Sequence, residues 1–273
     1  MTTQLSVQQH YGVSALNDSI TQALEQAGLD AGRLNEAQLA PLDQFHVRGL
    51  AATQDMAGAL SLTAGAAVLD VGCGLGGPAR CLAAAYDCRV TGLDLSDPFI
   101  RAARLLTERA GLADRVTFVP GDALEMPFPD ESFDCVWTQH TAMNIADRAR
   151  LYAGIYRVLR PSGTLAIYDV VEGSGEPLIF PVPWARTLEI SFLLTPEAMR
   201  QALTEAGFTV AAWTDTTEAA LAWFSAQQGM PPPANPLSLG VVMGSEFREM
   251  AANLARNLEE GRARLVQAIL RRA

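Results

Sequence analysis

Apolar positions along the chain fall into two regimes that change near Ala66. Before it they recur at helical spacing over residues 17–29, 34–39 and 49–60, which predicts a helical prefix ahead of the first strand. After it, short apolar runs at 67–71, 89–93, 116–119, 133–137 and 164–170 alternate with helical stretches. Strands buried on both faces read this way, so the alternation predicts a parallel sheet covered by helices on either side. Pro78 opens the helix after the first strand. In the next helix the Asp97-Pro98 pair predicts a capping carboxylate ahead of a first-turn proline, and Gly111 marks the end. A Gly- and Pro-rich loop at 172–184 leads to a helix at 196–206 that closes at Gly207. Two further strands fit 208–214 and 264–270. Between them lie an amphipathic stretch at 217–228, the breaker run Pro231-Pro232-Pro233, and a long helical pattern at 245–260.

A length of 273 residues sits near the upper limit for one hydrophobic core. The expected organisation is a helical lid segment at 1–62, a cofactor-binding core at 63–171, and a completion of the sheet with acceptor-site insertions at 172–273. No apolar run approaches the ~20 residues that span a bilayer, so no membrane insertion is expected. Residues 1–20 contain no Lys or Arg and no continuous apolar segment, so they lack a secretory signature and point to a cytoplasmic location.

Charge and residue usage remove whole classes of chemistry. A net charge of -10 opposes a nucleic-acid partner, because phosphate backbones demand a basic surface. Every basic residue among the 20 is arginine, which excludes Schiff-base chemistry and a lysine general base. Cys73, Cys81, Cys88 and Cys135 match no zinc-ligand spacing, so they read as reduced, mostly buried thiols, and no metal is expected.

The first strand, Val68-Leu69-Asp70-Val71, runs into a turn with glycines at Gly72, Gly74, Gly76 and Gly77. The G-x-G-x-x-G spacing suits a ligand approaching backbone N–H groups at a helix start, whether pyrophosphate or an amino-acid carboxylate. Asp70 discriminates between them. Two positions before the first glycine, its charge would repel a pyrophosphate and accept from the ammonium of a methionine-like group. Asp94 ends the second strand, where a carboxylate can accept both ribose hydroxyls. Gly121-Asp122-Ala123 follows the third strand and offers an acceptor for an adenine amino group. Strand-end aspartates also cap the helices that follow them, so each position alone carries either reading.

Together these residues resemble the class I S-adenosylmethionine-dependent methyltransferases, small-molecule branch, over 66–171. The resemblance includes Asp94, Asp122, Phe133-Asp134-Cys135-Val136-Trp137 and Val158-Leu159-Arg160-Pro161-Ser162-Gly163-Thr164, with Ser162 standing where the family usually has glycine. It implies an α/β, Rossmann-like, seven-stranded doubly wound sheet whose last strand is antiparallel. It implies S-adenosylmethionine as cofactor, held by Asp70, Gly72, Gly74, Gly76, Asp94, Leu95, Gly121, Asp122, Ala123 and Gln139. The phrase Leu42-Asp43-Gln44-Phe45-His46-Val47-Arg48-Gly49 is similar to segments of sarcosine/dimethylglycine, sugar and tocopherol-type methyltransferases. There it closes over the cofactor, which implies that Arg48 meets the cofactor carboxylate and His46 lines the site.

The acceptor is expected to be a small molecule methylated at nitrogen, oxygen or carbon, a small amine being preferred by resemblance; a homodimer is admitted. His140, in Thr138-Gln139-His140-Thr141-Ala142-Met143-Asn144 after the fourth strand, is the leading candidate general base, or else a polar residue that orients substrate. His46 and Tyr11 are further candidates, with Met143 and Asn144 beside the substrate. In Phe180-Pro181-Val182-Pro183-Trp184, Trp184 either walls the acceptor cavity or packs beneath the lid. The alternative functions are an NAD(P)-dependent oxidoreductase, which would leave Asp70 structural, and a non-catalytic cofactor-binding protein.

Overall fold

A computed structural model describes residues 16–227 and 235–273. Among the described residues three helices, α1 (Leu16–Gln26), α2 (Glu36–Asp43) and α3 (Gly49–Gly58), precede the first strand, β1 (Ala67–Val71). The chain then alternates through α4 (Gly77–Tyr86), β2 (Arg89–Asp94), α5 (Asp97–Arg109), β3 (Val116–Pro120), β4 (Phe133–Gln139), α6 (Arg148–Val158) and β5 (Leu159–Glu172). It finishes with α7 (Pro196–Glu205), β6 (Phe208–Asp215), α8 (Thr217–Gln227), α9 (Leu239–Met243), α10 (Phe247–Glu259) and β7 (Ala263–Arg272). The seven strands form one sheet in the order β3-β2-β1-β4-β5-β7-β6. β1 to β5 pair in parallel, and β7 runs antiparallel to both β5 and β6. The doubly wound sheet with an antiparallel last strand is therefore present as expected.

Strand alternation sends successive side chains to opposite faces. Val68, Val90, Trp137 and Tyr168 pack on one face, where Met56 of α3 and Leu82 of α4 cover them. Leu69, Leu93, Val136 and Ile167 pack on the other, beneath Ile155 of α6 and Leu203 of α7. A third cluster joins the N-terminal helices to the sheet: Leu16, Ile20, Leu24, Leu39 and Leu42 meet Leu75 of the glycine turn and Phe99 and Leu106 of α5. This stripe seats the N-terminal helices over the carboxyl ends of the central strands.

Three local features differ from the sequence reading. The N-cap of α5 is Ser96, whose hydroxyl accepts from Phe99 N–H at 3.4 Å, and Asp97 is instead the first helical residue. There its charge favours the helix N-terminus without a capping bond. Helix α2 starts at a capping box in which the Asn35 side chain accepts from Gln38 N–H while Gln38 accepts from Asn35 N–H, and it runs to Asp43, past the expected end at residue 39. Strand β5 begins at Leu159 rather than at 164, because Leu159 already pairs with Phe133 before a register shift. The four thiols are free and buried.

Ser162 adopts φ 63° on an exposed stretch of β5. A side chain in the left-handed region costs roughly 1–2 kcal/mol, part of which glycine gives back through unfolded-state entropy. Ser162→Gly is therefore expected to raise stability by about 0.5–1 kcal/mol and the melting temperature by about 2 °C. An unchanged or lowered melting temperature in calorimetry would contradict this.

Candidate active site

The carboxyl ends of β1 to β4, the N-terminal helices and the C-terminal insertions enclose one cavity of about 450 Å3. Its wall includes Asp70, Gly72, Gly74, Asp94, Leu95, Gly121, Asp122, Ala123 and Gln139, all named from sequence as cofactor residues. His46, His140, Met143, Asn144 and Trp184, expected near the acceptor, line it as well. Tyr11 lies outside the described residues.

At the heart of the site β1 ends in Asp70, 2 % exposed and flanked in register by Gly92 and Trp137. Its Oδ2 is buried with no hydrogen-bond partner. Burial, reinforced by the nearby Asp94 charge and opposed by Arg80, pushes its carboxyl up to about 8. Such a group is stabilised by a cation placed against it.

The glycine turn that follows is closed on itself. The N–H groups of Gly72 and Cys73 donate to Leu93 O at 2.7 and 3.1 Å, Gly76 N–H to Cys73 O at 2.8 Å, and Gly74 N–H to Asp94 Oδ2 at 2.9 Å. Four N–H groups of the turn are thus committed within the fold, a departure from the sequence expectation of N–H groups open to the ligand. Gly72, at φ 74°, is required for a second reason: a Cβ there would overlap the Thr141 side chain. Gly76 does not reach the cavity; at φ 76° it makes room for the Phe118 ring.

Asp94 accepts from Ser96 N–H through Oδ1 at 2.9 Å as well as from Gly74. Its carboxylate thereby ties the first turn to the second while lining the cavity. Asp122 Oδ1 accepts from Leu124 N–H at 2.9 Å. Each aspartate caps a local turn and faces the cavity, so the structural and ligand readings coexist.

The side of the cavity expected to take the acceptor is built on the loop after β4. His140 sits at φ 49° with its N–H donating to Tyr168 O at 2.7 Å. Its Nε2 is buried without a partner. Burial, with a contribution from His46, holds the imidazole well below its usual range, so it is neutral. His46 is held near 4 by burial. Its Nε2 lies 2.9 Å from Gly49 O and 2.9 Å from Thr53 Oγ1. Because a carbonyl can only accept, Nε2 carries the proton. The Gln139 amide oxygen accepts from Trp137 Nε1 at 3.0 Å and lies 3.2 Å from Thr53 Oγ1, which fastens α3 to the end of β4.

Next to it, Thr141 N–H donates to Asp169 Oδ1 at 3.1 Å, and the Thr141 hydroxyl lies 3.2 Å from Val71 O. Burial raises the Asp169 carboxyl to about 7. Asn144 Nδ2 donates to Trp184 O at 2.7 Å and Ile190 O at 3.0 Å. This holds the Pro183-Trp184 wall over the loop. Trp184 is 2 % exposed, with Nε1 donating to Ser191 Oγ at 2.9 Å. It therefore both walls the cavity and packs.

Arg48 is placed differently from expectation. It is absent from the cavity wall, and its guanidinium pairs with Asp55, two turns along α3, at 2.6 Å. Sequence reading missed Asp43, Phe45, Phe99, Thr141, Met243 and Phe247, all of which line the cavity. Asp43 Oδ2 accepts from Arg80 at 2.6 Å, with both side chains under 5 % exposed. Met243 and Phe247 arrive from α9 and α10, some hundred residues beyond β4.

Residues 69–167 match the sequence family described as methyltransferase domain. The 27-O-demethylrifamycin SV methyltransferase of Amycolatopsis mediterranei (strain S699) is 43% identical over 117 residues, 43% of this chain and 43% of that protein. The sterol 24-C-methyltransferase of Eremothecium gossypii is 43% identical over 110 residues, 40% of this chain and 30% of that protein. The match thus spans less than half of either relative. Among solved structures, geranyl diphosphate C-methyltransferase from Streptomyces coelicolor A3(2), bound to Mg2+, geranyl-S-thiolodiphosphate and S-adenosyl-L-homocysteine, shares the fold. It has a TM-score of 0.72 at 16% identity, over 100% of this chain and 99% of that one. Among the described residues no helix is long and apolar enough to cross a membrane. The strand order, the acidic strand ends and the matched stretch coincide: residues 69–167, at the centre of this chain, are similar to the methyltransferase domain family.

Proposed function

We propose that the protein transfers the methyl group of S-adenosylmethionine to a small-molecule acceptor. The observation that carries this is Asp70, a carboxyl buried in the cavity wall with one oxygen unpartnered, beside a glycine turn whose N–H groups are largely committed. That pairing suits an ammonium-bearing amino-acid end and opposes the pyrophosphate of a dinucleotide. The relatives' names support methyl transfer, and none of the proteins named above is an oxidoreductase. A net charge of -10 favours a small acceptor over a nucleic acid.

Bound S-adenosylmethionine supplies an electrophilic methyl group on a sulfonium, which leaves alignment and exclusion of water to the protein. Asp70 would receive the ammonium, Asp94 the ribose hydroxyls, and Asp122 the adenine edge. The N-terminal helices and the Pro183-Trp184 wall shut out solvent. His140, neutral and with Nε2 unpartnered, would accept the hydrogen of the acceptor's nucleophilic group at that atom and orient its lone pair.

His140→Ala is expected to slow turnover by about 10²-fold while S-adenosylhomocysteine binding stays within about twofold. The experiment is a methyl-transfer screen against a metabolite panel, read by mass gain and S-adenosylhomocysteine release, followed by kinetics of the variant. Cofactor binding with no methylated product from any acceptor would favour the non-catalytic reading.

A further inference from the structure

The cavity wall carries five carboxylates, from Asp43, Asp70, Asp94, Asp122 and Asp147, and no arginine. The chain has no lysine, and all 20 arginines lie within the described residues; residues 1–15 and 228–234 contribute neither Arg nor Lys. Of the arginines nearby, Arg48 pairs with Asp55, Arg80 with the wall's own Asp43, and Arg186 with Glu246, while Arg148 donates to Phe192 O. Among the described residues no cluster of side chains suited to a metal ion compensates for this. A phosphate or carboxylate on the acceptor would therefore lose its hydration without gaining a positive partner from the wall.

The two halves of the cavity differ in a way that also bears on cations. Asp43, Asp70, Asp94 and Asp122 belong to the ends of α2, β1, β2 and β3, the half read above as the cofactor's. Asp147 lies exposed at the mouth and caps α6 by accepting from Arg150 N–H. The remaining half includes Met143, Asn144, Pro183, Trp184, Met243 and Phe247, none of them charged, with His46 and His140 kept neutral by burial. An ammonium there would sit among apolar atoms opposite a sulfonium, with no anion of its own.

Building on the methyltransferase reading, we propose that the acceptor is an uncharged, largely apolar molecule whose nucleophile is a neutral group such as a hydroxyl. The same wall rejects acceptors bearing a phosphate, a carboxylate or an ammonium. Selection of this kind works by leaving the wrong partner's charge unpaired. It sets aside the small amine that the sequence resemblance prefers.

The test uses three probes on one apolar skeleton: 1-naphthol, 1-naphthyl phosphate and 1-naphthylmethylammonium. Each is titrated calorimetrically into the whole protein, with and without saturating S-adenosylhomocysteine. The naphthol is expected to bind at least tenfold more tightly than either charged probe. Equal or tighter binding of a charged probe overturns the proposal, as does failure of the naphthol to bind. One variant, Met243→Arg, puts a cation on a half-buried wall position, where it should shift the preference toward the phosphate by at least tenfold. An unmoved preference would show that the probes do not occupy this wall and would also overturn the proposal. Failure of S-adenosylhomocysteine itself to bind would instead count against the methyltransferase reading, while the ratios without it still test the acceptor class.

Discussion

Asp70→Asn should weaken S-adenosylhomocysteine binding by about a hundredfold, the worth of a buried charge-assisted hydrogen bond of about 3 kcal/mol. The substitution keeps size and burial but removes the charge that an ammonium would meet. It should not harm the unliganded fold, because that carboxyl is buried with one oxygen unpartnered. Burial and the Asp94 charge raise it to about 8 from 3.8. Between those values the folded protein holds a proton that the unfolded chain has released, so this group's contribution to stability declines as pH rises from about 4 to about 8.

Ligand binding has the opposite dependence. An ammonium requires the ionised carboxylate, so association below pH 8 expels a proton, and affinity should rise about tenfold per pH unit up to that point. Calorimetry at about pH 6 and pH 8, in buffers of different ionisation heat, reads both the slope and the proton. An affinity flat across that range, or unaltered in Asp70→Asn, would remove Asp70 from the cofactor site.

The second large effect belongs to Arg80. Its guanidinium bonds Asp43 Oδ2 at 2.6 Å and Thr107 Oγ1 at 2.9 Å. Asp43 Oδ1 has no partner. Burial raises the Asp43 carboxyl even though Arg80 pulls it down. Arg80→Met would strand that carboxyl in the interior, and stability should fall by about 3–5 kcal/mol. Pairing it with Asp43→Leu should recover most of the loss, since the charge and its partner then leave together. The single variant's deficit should shrink on acidification, because protonating Asp43 relieves it. Denaturant titrations near pH 7 and pH 5 measure all three effects; a single variant as stable as the parent would show the pair to be idle.

These two residues also mark where sequence reading reached and where it stopped. Asp70 was legible because strand, turn and helix follow one another within ten residues, and local order fixes where its side chain must lie. The same holds for Asp94, Asp122 and the sheet itself, whose buried strands print as apolar runs. The Asp43–Arg80 pair was not legible, since its partners are 37 residues apart and neither stands out on its own element. Arg48 was misplaced because a carboxylate one helical stretch away, Asp55, lies within reach and competes with any ligand. The outer wall from Met243 and Phe247 depends on how the C-terminal insertion folds back, which no local periodicity encodes. The cap at Ser96 rather than Asp97 is a one-residue difference that hinges on backbone angles.

Thr141 occupies the space that a side chain at position 72 would need, and its hydroxyl lies at the end of β1. The turn after β1 and the loop after β4 are therefore keyed together like a tongue in a slot, so neither can slide without the other. Spacing across the reaction centre is a property of the sheet, whereas the shape of the acceptor chamber is set by later segments that meet it from outside. Grafting different sequences around 183–184 and 239–247 should retune which molecules are accepted and leave the alignment of the reacting atoms untouched.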